Sequence, residues 1–408
     1  MLTAKCIWIL NHTVKAYNKS NQQYAEVKIV EGVNCISGKQ ERLTISKGKV
    51  EKIKTLESVD DDGTFFGPGL IDIQVNGIDG IDFNDTTLKP EDVLKATQYL
   101  LSKGVTTFFP TLITNSDENI YQLINIIVSA CHEYPVVDAC VSGIHLEGPF
   151  ISKVDGARGA HDLKYIKAPD WEWVKHCQEI SGGKIKVVTF SPEWEGSTDF
   201  VHQCVSHEIL VAIGHSNATP KEIHSAVIAG ASLSTHLGNG VPLMLPRHPN
   251  LLWEQLAQDK LYTSIIADGF HLPDAFLTTA IRTKGEKVFL VSDATCFSGM
   301  SSGVYKTHIG EEVVLEKDGR LSMKNSPDLL AGATKCLIED MQYLLDRKLV
   351  ELAEAWKMAS IYPASFLACP APGIASSQPA DLVVFRINQG KKVEIVQVVK
   401  KGLTVFEG

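Results

Sequence analysis

The 408 residues are 44% hydrophobic and 21% charged, which excludes a disordered chain and supplies apolar material for a large core. A formal net charge of −9 excludes a nucleic-acid surface, because phosphate backbones are held by excess Lys and Arg, so any anionic ligand has to be met by a local cluster. The nine cysteines are scattered, form no Cys-x-x-Cys pair, and read as reduced, mostly buried thiols. The one apolar run near the start, Cys6 to Leu10, is too short for a signal-peptide core, and no stretch approaches the roughly 18 apolar residues of a membrane span. A cytoplasmic protein with no membrane contact is expected.

Along the chain, residues 1–62 alternate polar and apolar side chains in the antiparallel manner, as in Ala25-Glu26-Val27-Lys28-Ile29-Val30 and Lys49-Val50-Glu51-Lys52-Ile53. The tail from Ala380 to Glu407 does the same. The two ends are therefore expected to build one small β-sandwich domain, residues 1–62 with 373–408. Residues 63–372 alternate apolar runs with longer amphipathic stretches, the signature of parallel βα units. Eight strands are predicted, at 69–76, 104–113, 140–147, 185–191, 209–215, 232–237, 263–268 and 287–293, so the fold class is α/β, a (β/α)8 barrel. Helices are predicted at Pro90–Lys103 and Pro220–Gly230, the second with Thr219 as N-cap and Gly230 as its stop.

Barrel enzymes carry their chemistry where strands end at the C-terminal face. Strand one ends in Gln74 and Asn76, strand three in His145 and Glu147, strand five in His215, strand six in His236, strand seven in Asp268 and His271, and strand eight in Asp293. A single histidine beside an apolar strand is ordinarily a hydrogen-bonded structural residue. Recurrence at the ends of several strands is what a metal site requires. One carboxylate and two neutral imidazoles, Glu147, His215 and His236, suit one divalent ion: zinc first, with iron, manganese or cobalt also fitting. Such an ion acidifies a water and polarises a carbonyl. Asp293 is then the natural proton carrier, the alternatives being a strand-end cap or a fourth ligand.

Taken together, Pro68-Gly69-Leu70-Ile71-Asp72-Ile73-Gln74-Val75-Asn76-Gly77, His145-Leu146-Glu147-Gly148-Pro149-Phe150, Gly214-His215-Ser216, Thr235-His236-Leu237, Ile266-Ala267-Asp268-Gly269 and Ser292-Asp293-Ala294-Thr295 resemble the N-acetylglucosamine-6-phosphate deacetylase family of the amidohydrolase superfamily. Most of that superfamily opens with a His-x-His metal pair at strand one; Gln74-x-Asn76 stands there instead, which implies one metal ion rather than two. The resemblance implies Glu147, His215 and His236 as ligands and Asp293 as acid/base. It implies that His161, in Gly159-Ala160-His161, helps polarise the amide carbonyl, that His271 contacts the sugar, and that Asn239 and Gly240 meet the phosphate. It further implies that Arg247 binds phosphate in a partner subunit's site within a homodimer, and that Leu330-Ala331-Gly332-Ala333 covers the substrate.

Two segments depart from the family pattern. Gly238-Asn239-Gly240-Val241 replaces an aromatic followed by Asn-Ala-Met, and Arg247-His248-Pro249-Asn250 replaces Arg, an acidic residue, Pro and Gly. The resemblance implies an amino-sugar phosphate, N-acetylglucosamine 6-phosphate, as substrate, and these departures leave another N-acyl amino sugar, an N-acyl amino acid or a cyclic amide as the alternative. A barrel that has lost catalysis and only binds is disfavoured, since it has no reason to keep Glu147, His215, His236 and Asp293 together.

Overall fold

The alternating segments at the two ends do pair, and into a single ladder. The computed structural model describes residues 27–57, 63–307, 312–370 and 375–408; Cys6, Ala25, Glu26 and the expected boundary positions 62, 372 and 373 lie outside them. Seven strands form one sheet in the order Leu403–Glu407, Val393–Lys400, Leu382–Ile387, Thr64–Pro68, Lys28–Asn34, Gln40–Ser46, Lys49–Thr55. The layers of the expected sandwich are parts of this one sheet, which curls until its far end meets its middle: Val50 N–H donates to Gln378 O at 3.0 Å and Ala380 N–H to Gly48 O at 2.9 Å. The inward-facing residues of each strand, among them Val30, Leu43, Ile45, Phe66, Leu382 and Val399, fill the space between.

All eight predicted barrel strands form and are parallel: Leu70–Val75, Val105–Ile113, Ile144–Glu147, Ile185–Phe190, Leu210–Ile213, Leu233–Ser234, Tyr262–Ile265 and Val288–Leu290. Covered on both faces, such strands need almost unbroken apolar sequence, and every residue of Leu70–Val75 is buried. The ring closes where strand eight returns to strand one, through Asp293 N–H to Gln74 O at 3.0 Å and Asn76 N–H to Ala294 O at 2.8 Å. The third strand is shorter than the predicted 140–147. Pro135 sits in the first turn of a short helix, Pro135–Cys140, where its missing N–H costs nothing, and that helix takes up Cys140, the first residue of the predicted strand.

Pro220–Ala229 is helical as read, with Thr219 and Glu222 forming a reciprocal capping box and Gly230 ending it in the left-handed region. A four-stranded antiparallel sheet, Gly303–Lys306, Glu312–Leu315, Leu321–Met323 and Ser326–Leu330, follows strand eight and was not foreseen. Its strands are three to five residues long, too short to leave a clear period. Barrel and terminal sheet are tied by Trp356, whose ring stacks on Phe385 at 4.3 Å and whose Nε1–H donates to Pro68 O at 2.9 Å. Of the described cysteines, Cys35, Cys131, Cys140, Cys177, Cys204 and Cys336 are buried and unpaired, as composition implied.

Candidate metal centre

The strand-end residues converge. Glu147 closes strand three; His215, His236 and Asp293 stand two or three residues beyond strands five, six and eight, in loops on the same rim. Glu147 Oε1 lies 2.9 Å from His236 Nε2 and 3.3 Å from His215 Nε2, and the two Nε2 atoms are 3.1 Å apart. Among the described residues this is the group of His, Cys, Asp and Glu able to hold a metal ion.

The geometry tests whether a cation fits. His215 Nδ1 lies 2.9 Å from the Ala157 carbonyl oxygen, which can only accept, so the ring proton is on Nδ1 and Nε2 presents a lone pair. That lone pair faces another imidazole nitrogen and a carboxylate oxygen. Three electron-rich atoms facing inward are stabilised by a cation between them and by little else.

Local backbone serves this convergence at a cost. His215, His236 and Asp293 all have positive φ, at 47°, 31° and 48°. Left-handed backbone at a side-chain-bearing residue costs on the order of 1–3 kcal/mol and persists where the surroundings over-determine it. The chain also comes unusually close to His215. A Cβ placed on Gly240, at φ +57°, would lie 2.7 Å from His215 Nδ1, and one on Gly159 3.1 Å from its Cε1. Gly240 is therefore required by the histidine ring it packs against, a reason the sequence did not offer.

The supporting residues divide by partner. Gln74 Nε2–H donates to Glu147 Oε1 at 2.8 Å, which fixes the carboxylate. Asn76 Nδ2–H donates to Asp293 Oδ1 at 2.7 Å and leaves Oδ2 for other work. Burial and the charge of Glu147 push Asp293 up to about 6. His145, buried beneath Glu147, bridges Ile73 O at 3.1 Å and Thr189 Oγ1 at 2.7 Å, and burial pushes its ring down to about 4. Asp268 Oδ2 lies 2.7 Å from His271 Nδ1 while Oδ1 accepts the His271 N–H at 3.0 Å. Burial would raise Asp268, but the His271 contacts prevail and lower it. His161 is buried, its ring 4.4 Å from that of His215 in edge-on contact. Ala333 O accepts from Thr295 N–H and Oγ1, both at 2.9 Å, laying Leu330-Ala331-Gly332-Ala333 along the rim beside Asp293.

Other expected contacts look different. The Asn239 side chain turns back to donate to His236 O at 3.1 Å, and Ala160 is exposed. Arg247 and His248 are exposed on the loop after Gly240, where Leu243 and Met244 are 84% and 86% exposed; the Arg247 guanidinium makes no ion pair among the described residues. Thr114, which closes strand two and touches His161, was missed, although the strand-end rule that found the others also covers it.

A (β/α)8 barrel with one carboxylate, two imidazoles and a half-buried carboxylic acid on its C-terminal rim defines a metal-dependent hydrolase. The chain belongs to the amidohydrolase family, whose model matches residues 66–405. Within it the chain is similar to N-acetylglucosamine-6-phosphate deacetylases: 31% identical to that of Caenorhabditis elegans, over 83% of this chain and 86% of the relative, and 33% identical to that of Bacillus subtilis, over 68% and 69%. The crystal structure of the deacetylase from Pasteurella multocida superposes with a TM-score of 0.81 at 26% identity, covering 93% of this chain and 99% of that one.

Proposed function

We propose that this protein hydrolyses the acetamide of N-acetylglucosamine 6-phosphate to glucosamine 6-phosphate and acetate. The observation that carries this reading is the convergence of Glu147, His215 and His236 with Asp293 alongside, in a chain matching deacetylases over most of its length. Glu147, His215 and His236 would hold one divalent ion, zinc by the donor set. When bound, that ion supplies Lewis acidity, polarising an amide carbonyl and acidifying a water.

The protein's own groups do the rest. Asn76 holds Asp293 Oδ1, so Oδ2 takes the proton from the attacking water and delivers it to the departing amine. His161 donates to the carbonyl oxygen as negative charge grows there. Asp268 orients His271 toward the sugar. Asn239, Gly240 and the rim segment Leu330–Ala333 border the substrate, with Ala160 beside His161. Arg247, exposed and with no ion-pair partner among the described residues, reaches the phosphate in the second subunit of a homodimer, where a guanidinium grips two phosphate oxygens at once. No described helix is long and apolar enough to cross a membrane, and we assign the enzyme to the cytoplasm.

The test is a turnover screen of N-acetylated hexosamines, with and without the 6-phosphate, on zinc-loaded protein. Acetate release from the phosphorylated sugar, with kcat/KM well above that of the unphosphorylated one, is the expected result. Preference for an N-acyl amino acid or a cyclic amide would transfer the reading to a different substrate, with Gly238-Asn239-Gly240-Val241 as the segment responsible.

A further inference from the structure

Two neighbouring histidines in the site are addressed by opposite kinds of backbone group. A carbonyl faces His215 Nδ1, whereas an amide N–H, that of Thr114, points at His161 Nδ1 from 3.4 Å. The Thr114 hydroxyl oxygen lies 2.8 Å from the same nitrogen. An amide N–H only donates, so the nitrogen it addresses has to offer a lone pair; a proton on Nδ1 would set N–H against N–H. The hydroxyl then donates to Nδ1 as well. The ring proton of His161 is left on Nε2, which has no hydrogen-bond partner among the described residues.

We propose that Thr114 is a positioning residue: by presenting two donors to His161 Nδ1 it fixes the Nε2–H tautomer and directs that N–H to the carbonyl oxygen of the scissile amide. The inference rests on the hydrolase reading for its purpose and on geometry alone for the tautomer. Independent features build the contact. Asn84 pins the end of strand two, accepting the Ile113 N–H at 2.8 Å and donating to Thr111 O at 3.0 Å. Gly148, directly after the ligand Glu147, has φ +91°, and a Cβ there would lie 2.3 Å from Thr114 Oγ1. The chain beside the metal ligand is thus bare where Thr114 reaches His161. The opposite tautomers also suit opposite tasks: His215 turns a lone pair inward to a cation, and His161 turns a proton inward to an oxygen.

The experiment is a long-range 1H–15N spectrum of zinc-loaded, 15N-histidine-labelled protein, with His161 assigned through His161→Gln. Wild type should show His161 protonated on Nε2 and bare on Nδ1. In Thr114→Val the Nδ1 resonance should move and kcat for amide hydrolysis should fall about tenfold, with KM within about twofold. Thr114→Ser should restore both. A proton on Nδ1 in wild type, or a Thr114→Val protein unchanged in spectrum and kcat, overturns the proposal. The spectrum needs no substrate. A protein with the stated tautomer and its Thr114 dependence, yet inert toward N-acetylated sugars, would keep this inference and remove the deacetylase reading.

Discussion

Replacing Gly240 by Ala should weaken metal binding far more than it weakens the fold. The new methyl carbon would sit 2.7 Å from His215 Nδ1 and 3.0 Å from Cε1 and Cγ, against an ordinary contact of 3.4 Å or more. The ring must retreat by roughly 0.7 Å, because none of the three atoms is the far end of a flexible side chain. Retreat breaks the register of Nδ1–H with Ala157 O, now 2.9 Å, and moves Nε2 out of the triangle it forms with Glu147 and His236. Loss of such an outer hydrogen bond to a ligating imidazole costs about 10- to 100-fold in metal affinity.

Gly182→Ala is the matched control, since Gly182 has φ +62° and nothing within 4 Å of the added atom. Both variants carry the left-handed penalty of about 1–2 kcal/mol, and Gly240→Ala adds the cost of the displaced ring, about 1–3 kcal/mol, so Gly182→Ala isolates the backbone contribution. Only Gly240→Ala should lose zinc when titrated against a chromogenic chelator. Equal zinc affinity for the two variants would refute the claim that Gly240 is present to admit the histidine ring.

Asp293→Asn should keep metal content near normal while kcat falls by about 100-fold or more, as loss of a general acid/base requires; unchanged turnover would remove Asp293 from proton transfer. Arg247→Ala should raise KM about 10- to 100-fold for the phosphorylated sugar alone, the worth of a charge-assisted paired contact, and an equal loss for unphosphorylated sugar would refute the phosphate role. Asp72 offers a stability test. Burial pushes its carboxyl up to about 7, so the folded state holds a proton that the unfolded chain releases near pH 4, and stability from this group falls as pH rises between those values. Asp72→Asn should therefore gain on wild type by up to about 4 kcal/mol between pH 4 and pH 8 in denaturant titrations, whereas a pH-independent difference would count against it.

The barrel was legible because buried parallel strands cannot be anything but apolar, and runs such as Ile185–Phe190 carry that requirement in their composition. The convergence of Glu147, His215 and His236 was legible for a related reason: they interrupt apolar sequence at the one end of each strand where polarity is useful. The four-stranded sheet after strand eight is only partly under that constraint, burying little beyond Val313, Leu315 and Leu321. Its strand Ser326–Leu330 is exposed at four of five positions and leaves no period to read. The reason for Gly240 was hidden too, because a glycine records what it avoids, and the avoided ring is 25 residues away in sequence but in contact in space. Thr114 escaped because a threonine at a strand end is unremarkable until its neighbour is seen to be His161.

The terminal sheet sets a timetable for synthesis. Thr64–Pro68 is sandwiched between a strand from the first part of the chain and Leu382–Ile387 from the last, and it runs straight into the first barrel strand. On a ribosome adding 5–20 residues per second, one side of that strand waits for roughly 300 residues, about 15 to 60 s, before its partner emerges. Throughout that interval the nascent chain carries a bare hydrogen-bonding edge next to Phe65 and Phe66, a template for unwanted pairing that chaperones would have to shield.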